Sequence, residues 1–136
     1  MITGLNTAIA WVLDQDSAKK FYTDTLGLDA RVDVPFGEGV RWVTVGAPNQ
    51  PDVQVTLMVP GPPVMDAESA EQLKSLIAKG VLTSCTFTVT DCQADYTALA
   101  ARGVTFVQPP TQRPWGLSAI LLDDSGCGVE LLQPAY

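Results

Sequence analysis

Ile9-Ala10-Trp11-Val12-Leu13-Asp14 … Phe21-Tyr22 … Leu26-Gly27 and Thr86-Phe87-Thr88-Val89-Thr90-Asp91 … Tyr96 … Leu99 … Arg102-Gly103 are two versions of one pattern, one in each half of the chain. Each is an apolar stretch rich in β-branched and aromatic residues, closed by an aspartate. A stripe of apolar residues at helical spacing follows, and then a glycine stop. A pattern that occurs twice at this length points to a duplicated βα module.

Working outward, residues 5–13 read as a strand, and Asp16 or Ser17 is the expected N-cap of the first helix. Short strands are expected near 29–34, 40–46 and 52–59, broken by Pro35-Phe36-Gly37 and by Gly46-Ala47-Pro48-Asn49-Gln50-Pro51. Pro60-Gly61-Pro62-Pro63 stops the last of these, and Asp66 to Lys79 reads as a connecting helix ended by Gly80. The second half repeats the order: a strand at 82–90, a helix at 92–102, then strands near 104–108, 115–123 and 127–133. Asp123-Asp124-Ser125-Gly126 supplies the last hairpin turn. The expectation is one α+β domain, 1–136, of two βαβββ modules with strands curved around a concave cavity. Module 1 covers about 1–60, the connector helix about 64–80 and module 2 about 81–136. A ferredoxin-like sandwich is the rival, but it explains three strands after each helix less well.

Composition removes several function classes. The chain has no histidine, which excludes an imidazole base and an imidazole–metal bond. Net charge is −7 with eight Lys plus Arg, so nucleic acid and anionic membrane surfaces are not expected partners. No basic leader or apolar run of membrane-spanning length opens the chain, and a cytoplasmic location is expected. Cys85, Cys92 and Cys127 are an odd set without metal spacing. Cys85 falls in a strand pattern and reads as a reduced core residue, whereas Cys127, in Ser125-Gly126-Cys127-Gly128, reads as turn-borne and accessible. No phosphate loop, nucleophile elbow or Cys/His cluster is present.

Val12-Leu13-Asp14 … Ala18 … Phe21-Tyr22 … Leu26-Gly27 resembles the opening signature of the vicinal oxygen chelate superfamily, which holds glyoxalase I, extradiol dioxygenases and bleomycin-binding resistance proteins. Asp91 … Tyr96 … Leu99 … Arg102-Gly103-Val104 is similar to the start of that family's second module. Leu122-Asp123-Asp124-Ser125-Gly126 … Val129-Glu130-Leu131 is similar to its closing hairpin. Metal-dependent members hold one divalent ion with four side chains, one from each of four strands. Carried onto this chain, the resemblance places those positions at Thr7, at Gln54 (Thr56 if the strand is shifted by two), at Ser84 and at Glu130. One carboxylate with neutral hydroxyl and amide oxygens is a poor set for Zn²⁺, Fe²⁺ or Ni²⁺, so no metal and no other cofactor is expected.

Strand periodicity sorts the same residues. Cys85, Phe87 and Val89 oppose Ser84, Thr86 and Thr88, while Val53, Val55 and Leu57 oppose Gln54, Thr56 and Met58. Val129 and Leu131 oppose Glu130. Each strand thus has an apolar face for the helices and a mixed face for a cavity or for water. Trp11 shares parity with Thr7, while Trp42 and Trp115 open strands. Arg41 and Arg113 flank two of these aromatics and are candidates for a ligand carboxylate. Expected ligand-binding residues are therefore Thr7, Trp11, Arg41, Trp42, Gln54, Thr56, Ser84 and Trp115.

The family resemblance implies a metal-free binder of a small organic molecule, of the sequestration or resistance type and homodimeric. The alternative is a metal-independent isomerase, lyase or cyclase in which Glu130, desolvated in the cavity with a raised pKa, is the general base. A divalent-metal-dependent lyase or dioxygenase is the third reading. Thr7, Gln54, Ser84 and Glu130 are expected to meet in one hydrogen-bonded cluster.

Overall fold

A computed structural model describes residues 1–136. The order is β1 (Thr7–Trp11), α1 (Gln15–Lys20), β2 (Asp29–Pro35), β3 (Arg41–Gly46), β4 (Gln54–Met58) and α2 (Ala67–Lys79). The second half follows as β5 (Thr83–Thr88), α3 (Cys92–Ala101), β6 (Phe106–Arg113), β7 (Gly116–Leu122) and β8 (Gly128–Pro134). Two four-stranded sheets result, with strand orders β1-β4-β3-β2 and β5-β8-β7-β6. In each, the first strand lies parallel to the last and the others are antiparallel, so the βαβββ order is used twice. The sheets do not close into a barrel.

The first helix begins earlier than expected. Asp14, not Asp16 or Ser17, is its N-cap, with Oδ1 accepting from the Ser17 amide. Asp91 caps α3 in the same way, accepting from the Ala94 amide. Both aspartates close a strand and open a helix, which is why each repeat ends its apolar run in Asp. After Lys20 the first helix widens to a π-helical turn, Phe21–Thr25, before Gly27 at φ 80° ends it. β6 runs on to Arg113 rather than stopping near 108. It is the outer strand of its sheet, and its ladder shifts register around Pro109 and Pro110, the place where a strand tolerates proline.

Alternation puts Ala10, Val12, Val43, Val45, Val55 and Leu57 of the first sheet and Leu121, Val129 and Leu131 of the second into one buried cluster with Ala18 and Tyr22. The helices cover that side of the sheets. Gln15, also buried, ties α1 to the sheet by donating to the carbonyls of Arg41 and Leu57.

The two modules are stitched where the turn between β7 and β8 meets β1 and α1. Asp123 Oδ1 accepts the amides of Ser125, Gly126 and Cys127, which shapes the turn, and its Oδ2 accepts the Tyr22 hydroxyl at 2.8 Å. Ser125 Oγ accepts the Leu13 amide, Cys127 Sγ lies 3.5 Å from the Trp11 carbonyl, and Ser17 Oγ donates to Asp124. Cys127 is consequently buried rather than accessible, and burial first, then Asp123 and Asp124, pushes its thiol up to about 11.

Candidate functional site

The mixed faces of the two sheets turn away from the helices and carry the candidate residues. On the first sheet Thr7, Ile9 and Trp11 of β1 sit beside Gln54, Thr56 and Met58 of β4, with Trp42 and Thr44 on β3. Thr7 Oγ1 and Thr56 Oγ1 are hydrogen-bonded at 2.6 Å, and Thr44 donates to Gln54 Oε1 at 2.6 Å. Phe36 meets Trp42 edge to face, with ring centroids 5.7 Å apart. This half is neutral and aromatic.

The second sheet contributes a carboxylate. Glu130 accepts from Thr86 at Oε1 (2.8 Å) and from Ser118 at Oε2 (2.6 Å). Gln108 reaches Ser118 through the carbonyl and the hydroxyl, and Arg113 donates to Gln108 Oε1. Trp115, half exposed in the turn between β6 and β7, brings its side chain near Glu130. That turn needs Gly116 at φ 147°, where a Cβ would run into the Gln133 carbonyl. Glu130 stays below the ordinary carboxylate range because the Ser118 hydrogen bond outweighs the desolvation, and Thr86 adds to it. The expected rise does not occur: burial is too shallow and the hydroxyls too close. An ionised, doubly hydrogen-bonded carboxylate is a weak general base.

The four chelating positions do not form one cluster. Val12 and Val89 each donate to the last strand of their sheet, to Met58 and Leu132. In that register Ile9 faces Thr56 as Thr86 faces Glu130, so Thr56 rather than Gln54 is the counterpart of Glu130. Ser84 leaves the set entirely. A register shift between Thr83 and Thr86 turns it inward, where its hydroxyl lies near the Tyr22 phenol and has no hydrogen-bond partner. Arg41 also turns from the mixed face, pairing with Asp33 at 3.0 Å and with Asp16 at 2.7 Å on the α1 side. Nowhere do three His, Cys, Asp or Glu side chains gather to hold an ion. The residues do not fit the catalytic ion of metal-dependent relatives, because one carboxylate with both oxygens hydrogen-bonded faces only hydroxyls.

Thr86, Ser118, Gln108 and Thr44 complete these networks and were not singled out from sequence. Thr86 shares the parity of the mixed face and could have been; Ser118 and Gln108 needed the pairing register.

A family model described as Glyoxalase/Bleomycin resistance protein/Dioxygenase superfamily matches residues 4–131. The uncharacterised protein YurT of Bacillus subtilis is 36% identical over 118 residues, 87% of each chain. The crystal structure of UcmS2 is 44% identical with TM-score 0.88, covering 97% of this chain and 98% of that one. TnmS3, an antibiotic binding protein from Streptomyces sp. CB03234, is 29% identical with TM-score 0.77 over 98% of both. With the paired βαβββ sheets and the matched length, this chain belongs to the glyoxalase/bleomycin resistance protein/dioxygenase superfamily.

Proposed function

We propose that the protein binds a small organic molecule on the mixed faces of its sheets without a metal ion, and acts by sequestration rather than by turnover. The observation that carries this is the state of the chelating positions. Two are paired threonines, one points into the core, and the fourth is a carboxylate already held by Ser118 and Thr86. Likeness to an antibiotic binding protein supports the same reading. Trp11, Trp42 and Trp115 offer flat apolar contact, and Thr7, Gln54 and Glu130 offer polar anchors.

The active form in this reading is a homodimer. Ile9, Val34, Phe36 and Trp115 are 39–49% exposed along the mixed faces, and a second copy there would close the cavity. Three free thiols suit a reducing cytoplasm, and no helix is long and apolar enough to cross a membrane.

Equilibrium dialysis with bleomycin and a panel of aromatic antibiotics, with elemental analysis of the purified protein, tests the proposal. The expected result is saturable binding that leaves the compound chemically unchanged and survives a chelator. Stoichiometric Fe, Ni or Zn, or conversion of a bound compound, would overturn it.

A further inference from the structure

The joint made by the β7–β8 turn has a counterpart on the other side of the molecule, and that counterpart is open. By the internal repeat, β1 and α1 correspond to β5 and α3, and the β7–β8 turn corresponds to the turn between β3 and β4, residues 47–53. Counted from the matching N-caps Asp14 and Asp91, Ala18 corresponds to Asp95, and the next helical turn sets Phe21 and Tyr22 against Ala98 and Leu99. The helix ends keep that alignment, since the Tyr22 carbonyl accepts the Leu28 amide as the Leu99 carbonyl accepts that of Val104. Where Tyr22 fills the closed joint and reaches Asp123, the second copy has an aliphatic side chain, and beside it a methyl in place of a ring. The 47–53 turn does not make up the loss. It is drawn the other way, with Arg31 donating to the carbonyls of Ala47, Gln50 and Pro51. The closed joint keeps a hollow of about 320 Å³, and the open one a cleft of about 690 Å³.

Burial records the same difference. Ala10, Val12, Ala18 and Tyr22 are buried, whereas their counterparts Phe87, Val89, Asp95 and Leu99 all keep part of their surface open. Phe87, Val89 and Leu99, with Leu26 and Leu28 from the end of the first helix, make an apolar floor. That floor lies on the helix side of the sheet, away from Glu130 and the mixed faces. Asp95, Ala98, Leu99 and Arg102 line the cleft at the spacing of one helix face. The two charges on this face are used differently. Arg102 spends one hydrogen bond from each Nη on the carbonyls of Thr25 and Asp24. The Asp95 carboxylate, partly buried, makes no hydrogen bond or ion pair within the chain.

We infer that this cleft is a second binding site, separate from the mixed faces, for an aromatic amine whose ring lies on the apolar floor and whose ammonium meets Asp95. The ring follows from what the second copy lacks. Ala98 and Leu99 leave open the space that Phe21 and Tyr22 take in the first copy, and Phe87 offers an aromatic neighbour. The ammonium follows from the unpaired carboxylate, because a hydrogen bond between two charged groups is the stronger kind. Thr90, Asn49 and Gln50 line the same cleft and offer neutral oxygens to the remaining ammonium protons. An anion is the poorer fit, since Arg102 is turned to two carbonyls and the chain carries a net charge of −7. One helical turn, about 5 Å, separates Asp95 from Ala98 and Leu99, and a two-carbon arm between ring and nitrogen spans it. The volume is that of a small-molecule pocket and admits a fused bicyclic ring.

The probe is tryptamine, titrated by calorimetry and by amide chemical shifts of the full chain, with indole-3-propionate as the control that swaps ammonium for carboxylate on the same ring and arm. Saturable tryptamine binding with shifts at Leu26, Phe87, Val89 and Leu99 is expected, with the propionate at least about tenfold weaker. Asp95→Asn keeps the shape of the site, removes the charge and should weaken tryptamine by about tenfold. Ala98→Phe, at an exposed helix position, restores the first copy's ring and should abolish binding by filling the space. If that variant does not fold, Asp95→Asn carries the test. Four results would each overturn the inference: no saturable binding, equal affinity for the propionate, unchanged affinity in a folded variant, or shifts confined to Glu130 and Trp115. So would shifts at the same four amides that grow with protein concentration in the absence of tryptamine, since a second copy would then cover the cleft. The proposal for the mixed faces is tested separately, by the antibiotic panel.

Discussion

The joint at the β7–β8 turn and the cleft at the β3–β4 turn start from the same backbone. Both flank the outer edge of a first strand, and both sit under the first helix of a module. One is closed by an aspartate that accepts four donors, a tyrosine, two serines and a cysteine. The other has a turn two residues longer, seven against five, with its carbonyls bound to Arg31. The difference teaches that the duplicated fold does not itself seal its module seam. A few polar side chains do, and each must meet a partner donor or acceptor. Where they are missing, an apolar floor stays accessible.

Asp123→Ala removes the acceptor of three backbone amides and a phenol at once. Leaving buried donors unsatisfied should cost about 3 kcal/mol or more, read from urea unfolding. A loss under about 1 kcal/mol would mean that the closed seam is held by apolar contact instead. Tyr22→Phe leaves one carboxylate oxygen without its donor and should cost about 1–2 kcal/mol. In a cycle with Asp123→Asn the two losses should be clearly non-additive, whereas Leu99→Tyr should show no coupling to Asn49→Asp, at the residue seven before Thr56 as Asp123 lies seven before Glu130.

Ser125→Ala frees the Leu13 amide alone, for about 1 kcal/mol. Hydrogen exchange sharpens the comparison further: the Leu13 amide should be protected and the Thr90 amide should exchange at nearly the rate of an open chain. Equal protection at the two would break the proposed asymmetry. The smallest effect concerns Cys127. With its thiol pushed up to about 11, little thiolate exists at neutral pH, and reactivity rises only as pH approaches that value. Iodoacetamide at mildly alkaline pH should leave Cys127 unmodified in the folded protein, and Ser125→Ala should speed its modification.

Element order was readable because local signals agree. The Asp that ends each apolar run, the glycine stop and the alternating strands act over a few residues, and both copies say the same thing. Errors of reading came where a single register slip matters. Ser84 has the right parity for the mixed face, but the shift between Thr83 and Thr86 turns it into the core. Arg41 sits beside Trp42 in sequence and on the opposite side of the strand in space, where Asp16 and Asp33 hold it. Glu130 was legible as the one strong acid on its face, but its ionisation was not, since that depends on Ser118 arriving from the neighbouring strand.

By itself the sequence determined the two βαβββ modules, the lack of any imidazole ligand and the apolar faces of β4, β5 and β8, because composition and short-range period settle these. Tertiary structure decided which hydroxyls meet Glu130, that Ser84 faces the core, and that one module seam is closed while the other is open. Those outcomes depend on register between strands far apart in the chain and on whether a turn finds a hydrogen-bond partner across the seam, neither of which any local pattern encodes.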